Sequence, residues 1–116
     1  MIVYVTSLVR YQPHGWLYKI DYESKKIICK VRIASNDTEA KHGGPHGLAR
    51  FGDLLVTGSY SDIRFFDRDL REQWRFDSPL LSGVHGLSVN RDKIWVSSCN
   101  NETVVCFGSE GQVIEQ

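Results

Sequence analysis

Laid against itself, the sequence matches at a constant displacement of 39 positions. Pro45-His46-Gly47-Leu48-Ala49-Arg50 leads into Asp53-Leu54-Leu55-Val56-Thr57-Gly58-Ser59, and His85-Gly86-Leu87-Ser88-Val89-Asn90 leads in the same way into Asp92-Lys93-Ile94-Trp95-Val96-Ser97-Ser98. Each copy continues through a polar turn into an apolar run, Ile63-Arg64-Phe65-Phe66-Asp67 and Val104-Val105-Cys106-Phe107-Gly108. A tight turn follows, Arg68-Asp69-Leu70 or Ser109-Glu110-Gly111, and then a last run, Glu72-Gln73-Trp74-Arg75-Phe76 or Gln112-Val113-Ile114-Glu115. Self-similarity with a period of roughly 20 to 50 residues marks units that cannot bury their apolar faces alone and stack on one another.

The runs are short, alternate apolar with polar residues and are rich in β-branched and aromatic side chains, which predicts strands and no helix. Each repeat thus reads as four antiparallel strands. The N-terminal third fits the same template from its second strand onward: Ile2-Val3-Tyr4-Val5-Thr6-Ser7, Trp16-Leu17-Tyr18-Lys19-Ile20-Asp21 and Lys26-Ile27-Ile28-Cys29-Lys30-Val31. Its first strand is missing. The expectation is therefore a single all-β domain over 1–116 with 11 strands in three units, at about 1–34, 45–77 and 84–116.

Four-stranded units at this spacing match the blades of a β-propeller, with the first strand innermost and the fourth at the rim. The run His-Gly-Leu-Ala/Ser, then Val-Thr-Gly-Ser or Val-Ser-Ser, then two further strands resembles propellers of the NHL, YVTN and gluconolactonase-like type. The resemblance covers nearly the whole chain, and no unit ends in the Trp-Asp of WD repeats. It implies about three blades, a half-propeller whose first blade lacks its innermost strand. Blades bury their faces only against neighbours, so a homodimer that completes a six-bladed ring is expected. The chain reads equally as the N-terminal half of a longer propeller.

Charge narrows the partners. Fourteen basic side chains balance fourteen acidic ones, so no global field draws the chain to nucleic acid or to an anionic membrane. No stretch has the apolar length of a membrane span or the pattern of a secretory signal, which makes a cytoplasmic location the expectation. Cys29, Cys99 and Cys106 are an odd set without metal-ligand spacing and read as reduced, mainly packing thiols.

Three His-Gly pairs fall toward one end of the predicted strands. His46-Gly47 and His85-Gly86 lead the innermost strands, and His14-Gly15 closes an enlarged loop, Leu8 to Gly15, about five residues longer than its counterpart in the second unit. Loop extensions on a rigid scaffold are where binding groups tend to sit. Arg10, Tyr11, His14, Trp16 and Tyr60 are accordingly the candidate ligand-binding residues. His46 and His85 are candidate ligands for a divalent metal, a chemistry that imidazole suits and that the resemblance to propeller lyases and oxygenases implies. The simpler reading takes the same histidines as structural residues of the repeat. Asp37, Glu39, Asp62 and Glu102 are loop carboxylates that can serve as ligand or base or lie solvated, and His42 stands four positions before His46. Tyr4, Tyr18, Phe65, Phe66, Trp74, Trp95 and Phe107 read as core between units.

No nucleophile and base are spaced as a catalytic set, so whether the chain is an enzyme stays open. The leading expectation is a non-catalytic module, without a cofactor, that binds a small molecule or protein on its loop face. The alternatives are a metal-dependent lyase or lactonase-like enzyme and an inactive fragment of a longer propeller.

Overall fold

The structure is a computed structural model that describes residues 1–9, 11–35 and 43–116. The described residues form eleven strands: β1 (Ile2–Leu8), β2 (His14–Asp21), β3 (Lys26–Ala34), β4 (His46–Phe51), β5 (Leu54–Gly58), β6 (Asp62–Phe66), β7 (Glu72–Asp77), β8 (Val84–Asn90), β9 (Lys93–Ser98), β10 (Thr103–Phe107) and β11 (Val113–Glu115). They pair antiparallel in chain order as three sheets, β1-β2-β3, β4-β5-β6-β7 and β8-β9-β10-β11. The all-β expectation, with sheets of three, four and four strands, is what the chain adopts. No helix among the described residues is long and apolar enough to cross a membrane.

The sheets stack face to face in sequence order, and alternation along each strand decides which residue goes where. On β5 and β6, Val56, Ile63 and Phe65 join Leu81, Val84, Ile94, Val96, Val105 and Phe107 in a core between the second and third sheets. From the opposite face, Phe66 and Leu70 meet Leu17 and Ile33 of the first sheet. Each side chain of this size contributes roughly 1.5–3 kcal/mol when fully buried. Strand β6 lies within the middle sheet, covered on both faces, and all five of its residues are buried. Trp74 at the rim is partly exposed, yet its ring stacks on Phe65 at 4.5 Å and its Nε1 donates to the Ser109 carbonyl.

Burial of β6 corrects one sequence expectation. Asp62 is the first residue of that strand and not a loop carboxylate; it is 1% exposed. Arg64 Nε and Nη2 donate to its two oxygens at 2.8 and 3.0 Å, and the same guanidinium donates to the Ala34 carbonyl at the end of β3. A lone carboxylate at this depth costs several kcal/mol. The pair neutralises it and ties the middle sheet to the first.

The outer faces of the stack differ from its interior. On the first sheet Val5, Ile27 and Ile28 are exposed, Ile27 by 56%, and on the third Val104 is 54% exposed. Val5 lies on the strand face opposite to Tyr4, which packs inward. These are sheet faces of the kind that the interior of the same molecule covers with a neighbouring sheet.

Candidate functional site

The repeated His-Gly pairs sit at irregularities in the ladders. Between β4 and β5 the register slips between His46 and Ala49, and between β8 and β9 it slips between Val84 and Gly86, so His85 has no partner directly opposite. A bulge of this kind bends a strand and re-aims a side chain. Both bulges are tied by an equivalent bond: Thr57 Oγ1 donates to the Gly47 carbonyl at 2.5 Å, and Ser97 Oγ to the Gly86 carbonyl at 3.4 Å. Gly47 adopts φ +77°, and a methyl group on it would lie 2.9 Å from the Leu87 backbone nitrogen. Only glycine lets β4 approach β8 so closely.

That approach brings the two imidazoles together. The His46 and His85 ring centres are 6.0 Å apart, with planes tilted by 30°. Around them lies a cleft of about 340 Å³ lined by Leu8, His46, Tyr60, Gly83, Val84, His85, Cys99 and Asn100. All three sheets contribute to it: Leu8 ends β1, His46 begins β4, His85 belongs to β8, and Asn100 follows β9.

Tyr60 is held from both ends. Its carbonyl accepts from the Gly83 and Val84 amides at 2.9 and 3.2 Å, which joins the β5–β6 turn to the start of β8. Its hydroxyl oxygen accepts from Asn100 Nδ2 at 2.7 Å. Asn100 is in turn fixed by its own amide, which donates to the Ser82 carbonyl at 3.0 Å, and Cys99 by its amide to the Gly83 carbonyl. With its oxygen engaged as acceptor, the Tyr60 hydroxyl has its proton to donate. The cleft therefore offers a hydroxyl donor and two imidazoles against the apolar walls of Leu8 and Val84.

Of the residues named from sequence, His46, His85 and Tyr60 share this cleft. His14, Tyr11 and Trp16 are elsewhere. The expected loop is shorter than the sequence reading has it, because His14 and Gly15 are the first residues of β2, paired with Ala34 and Ile33 of β3. Gly15 sits where Pro45 crosses, and a methyl group there would fall 2.7 Å from the proline Cδ and closer still to the Ser7 carbonyl. His14 Nδ1 is buried and has no hydrogen-bond partner among the described residues. Trp16 lies within β2 with Lys30 Nζ 4.8 Å over its ring. Tyr11 is exposed, in a turn with φ 61°. Arg10, Asp37, Glu39 and His42 lie outside the described residues.

Glu102 lines a shallow hollow beside the cleft with His85 and Cys99. Among the described residues no three His, Cys, Asp or Glu side chains gather as a metal site. Of the thiols, Cys106 is buried opposite Trp95, and burial pushes its pKa up, as a packing thiol requires. Cys99 departs from the packing role: it is exposed and lines the cleft. Leu8, Gly83, Val84, Cys99 and Asn100 are the cleft residues that sequence reasoning did not name as site residues. A scan against protein-family models and a search of curated proteins find no match for the chain.

Proposed function

We propose that the chain is a non-catalytic binding module of propeller type, related in architecture to the NHL, YVTN and gluconolactonase-like group, which holds a small ligand in the His46/His85/Tyr60 cleft. The observation that carries this reading is the convergence of two residues named from the repeat, His46 and His85, and one named from its loop, Tyr60, on one cleft of about 340 Å³. That volume falls within the roughly 300–1,000 Å³ of small-molecule sites, which combine apolar walls with a few placed polar groups. The Tyr60 hydroxyl has a proton to donate and His85 presents an exposed imidazole beside it, which suits a ligand with an apolar body and an acceptor head, such as an aromatic carboxylate. The exposed apolar side chains of Val5 and Ile27 on the first sheet and Val104 on the third support the further reading that two copies complete a ring.

Benzoate titrated into the isotope-labelled protein tests the cleft. Saturable shifts confined to His46, Tyr60, His85, Asn100 and their neighbours are the expected result, with affinity several-fold weaker in Tyr60→Phe. Absence of saturable shifts across benzoate and its alkyl-substituted analogues would sink the reading, as would shifts clustered elsewhere.

A second reading, a metal-dependent enzyme, draws support from the 6.0 Å separation of the His46 and His85 rings. Two imidazoles supply half of a four-coordinate zinc shell, and no third ligand joins them among the described residues. Zinc titration into the apo protein separates the two readings: stoichiometric uptake abolished by His46→Ala with His85→Ala favours the metal reading.

A further inference from the structure

The first sheet ends at β1, and no described strand pairs with the outer edge of that strand. In the other two sheets the corresponding place is filled. β4 pairs with β5 there, β8 pairs with β9, and β1 touches β4 as β5 touches β8. The backbone of β1 shows which groups face the open edge. The Tyr22 amide donates to the Met1 carbonyl, and the Val9 amide to the His14 carbonyl. Between those two points the β1–β2 register runs from Ile2 opposite Asp21 to Leu8 opposite Gly15 without a slip.

Bonded and non-bonded pairs alternate in an antiparallel ladder. The odd-numbered residues of β1 therefore direct their amides and carbonyls at β2. Ile2, Tyr4, Thr6 and Leu8 direct theirs outward, as a row of donors and acceptors that no described strand pairs, of the sort that templates an added strand.

The two ends of this edge differ in chemistry. At the Leu8 end lies the cleft already described. At the Ile2 end lies a larger one, about 450 Å³, lined by Ile2, Tyr4, Leu54 and Leu55 together with Lys19, Arg50, Arg68 and Asp53. Lys19 pairs with Asp69 at 3.2 Å and Arg68 with Asp53 at 3.3 Å, while Arg50 is 4.0 Å from the same Asp53. The lining of this cleft holds three cations and one carboxylate, Asp53, so the cleft itself carries a positive excess, while Asp21, opposite Ile2, and Glu23, paired with the Met1 ammonium, lie outside it.

We propose that β1 binds an extended peptide segment of a partner protein as a fourth strand, antiparallel to β1, with an acidic residue at its C-terminal end. Antiparallel pairing starts the peptide beside Leu8 and ends it beside Ile2, which puts its acidic end among Lys19, Arg50 and Arg68. Backbone pairing supplies the affinity and the charge sets the register, as in other cases of strand addition. The inference does not depend on what the His46/His85 cleft holds.

The test uses the full chain and a fluorescent peptide matched to the seven residues of β1, made of alternating valine and threonine and ending in glutamate. Saturable binding is expected, with new hydrogen-exchange protection at the amides of Ile2, Tyr4, Thr6 and Leu8. Arg50→Glu combined with Arg68→Glu is expected to weaken binding several-fold. Thr6→Pro removes an outward amide that β2 does not use, so it is expected to keep the far-ultraviolet spectrum and lose the peptide. The same peptide methylated on alternate backbone nitrogens is expected not to bind, a control that leaves the protein unaltered. No saturable binding up to about 1 mM, the weak end of specific association, overturns the proposal. Binding without protection of those four amides overturns it too. So does concentration-dependent protection of the same amides before any peptide is added, which would assign the edge to a second copy of this chain.

Discussion

Asp62 and Arg64 stand two positions apart on a strand, so their side chains leave the sheet on the same side. Both are buried there, at 1% and 4% exposure. Removing one partner strands the other charge in the interior, at a cost of about 3–5 kcal/mol. Asp62→Ala is expected to lower the urea midpoint accordingly, whereas Asp62→Leu with Arg64→Leu is expected to recover most of the loss. A single variant as stable as the parent would contradict this account of the pair. The sequence carried a hint, opposite charges at i and i+2 in a β-branched and aromatic run. From sequence Asp62 reads as a loop acid because an acid beside a turn is usually solvated, and the third partner, the Ala34 carbonyl, lies 30 positions from Arg64. Cleft residues divide along the same line. His46, His85 and Tyr60 were legible because the repeat assigns them equivalent or neighbouring ends of strands. Asn100 was not, since its bond to Tyr60 spans 40 positions and both residues lie in turns.

At the scale of elements, all eleven strands were legible, because alternation and turn residues are local properties of the chain. Their ends were less so. β2 begins at His14 and not Trp16 because Gly15, though a poor strand former, lets Pro45 cross close against the β1–β2 hairpin. The bulges at the starts of β4 and β8 were not visible either, yet they aim the two imidazoles at each other. Their cost in sequence is Gly47, whose positive φ and contact with Leu87 leave no room for a side chain. Gly47→Ala is expected to destabilise by about 1–3 kcal/mol through forced strain at that position. The expected accompaniment is a changed environment at His85 as well as His46, seen in their imidazole resonances. An unperturbed midpoint with unmoved His85 signals would show that the approach of β4 to β8 does not rest on this glycine.

For the whole molecule, the question is what covers the outer faces. Inside the chain, two inter-sheet interfaces are built from the same alternating strand faces, and β6 of the middle sheet is buried on both sides. The first and third sheets each have one face so covered, and Val5, Ile27 and Val104 stand exposed on the stack. The repeat made the stacking of sheets legible, whereas what the two outer faces meet is not written in any single residue. Two copies related by a two-fold axis would set the third sheet of each against the first sheet of the other, closing the ring without unpaired faces. The most direct test is the mass in solution, by light scattering on a size-exclusion peak over a range of micromolar concentrations. A species of about twice the 13.3 kDa chain mass, reduced to monomer by Val5→Lys combined with Val104→Lys, is the predicted result. A monodisperse monomer across that range, with both faces open to water, would contradict ring completion.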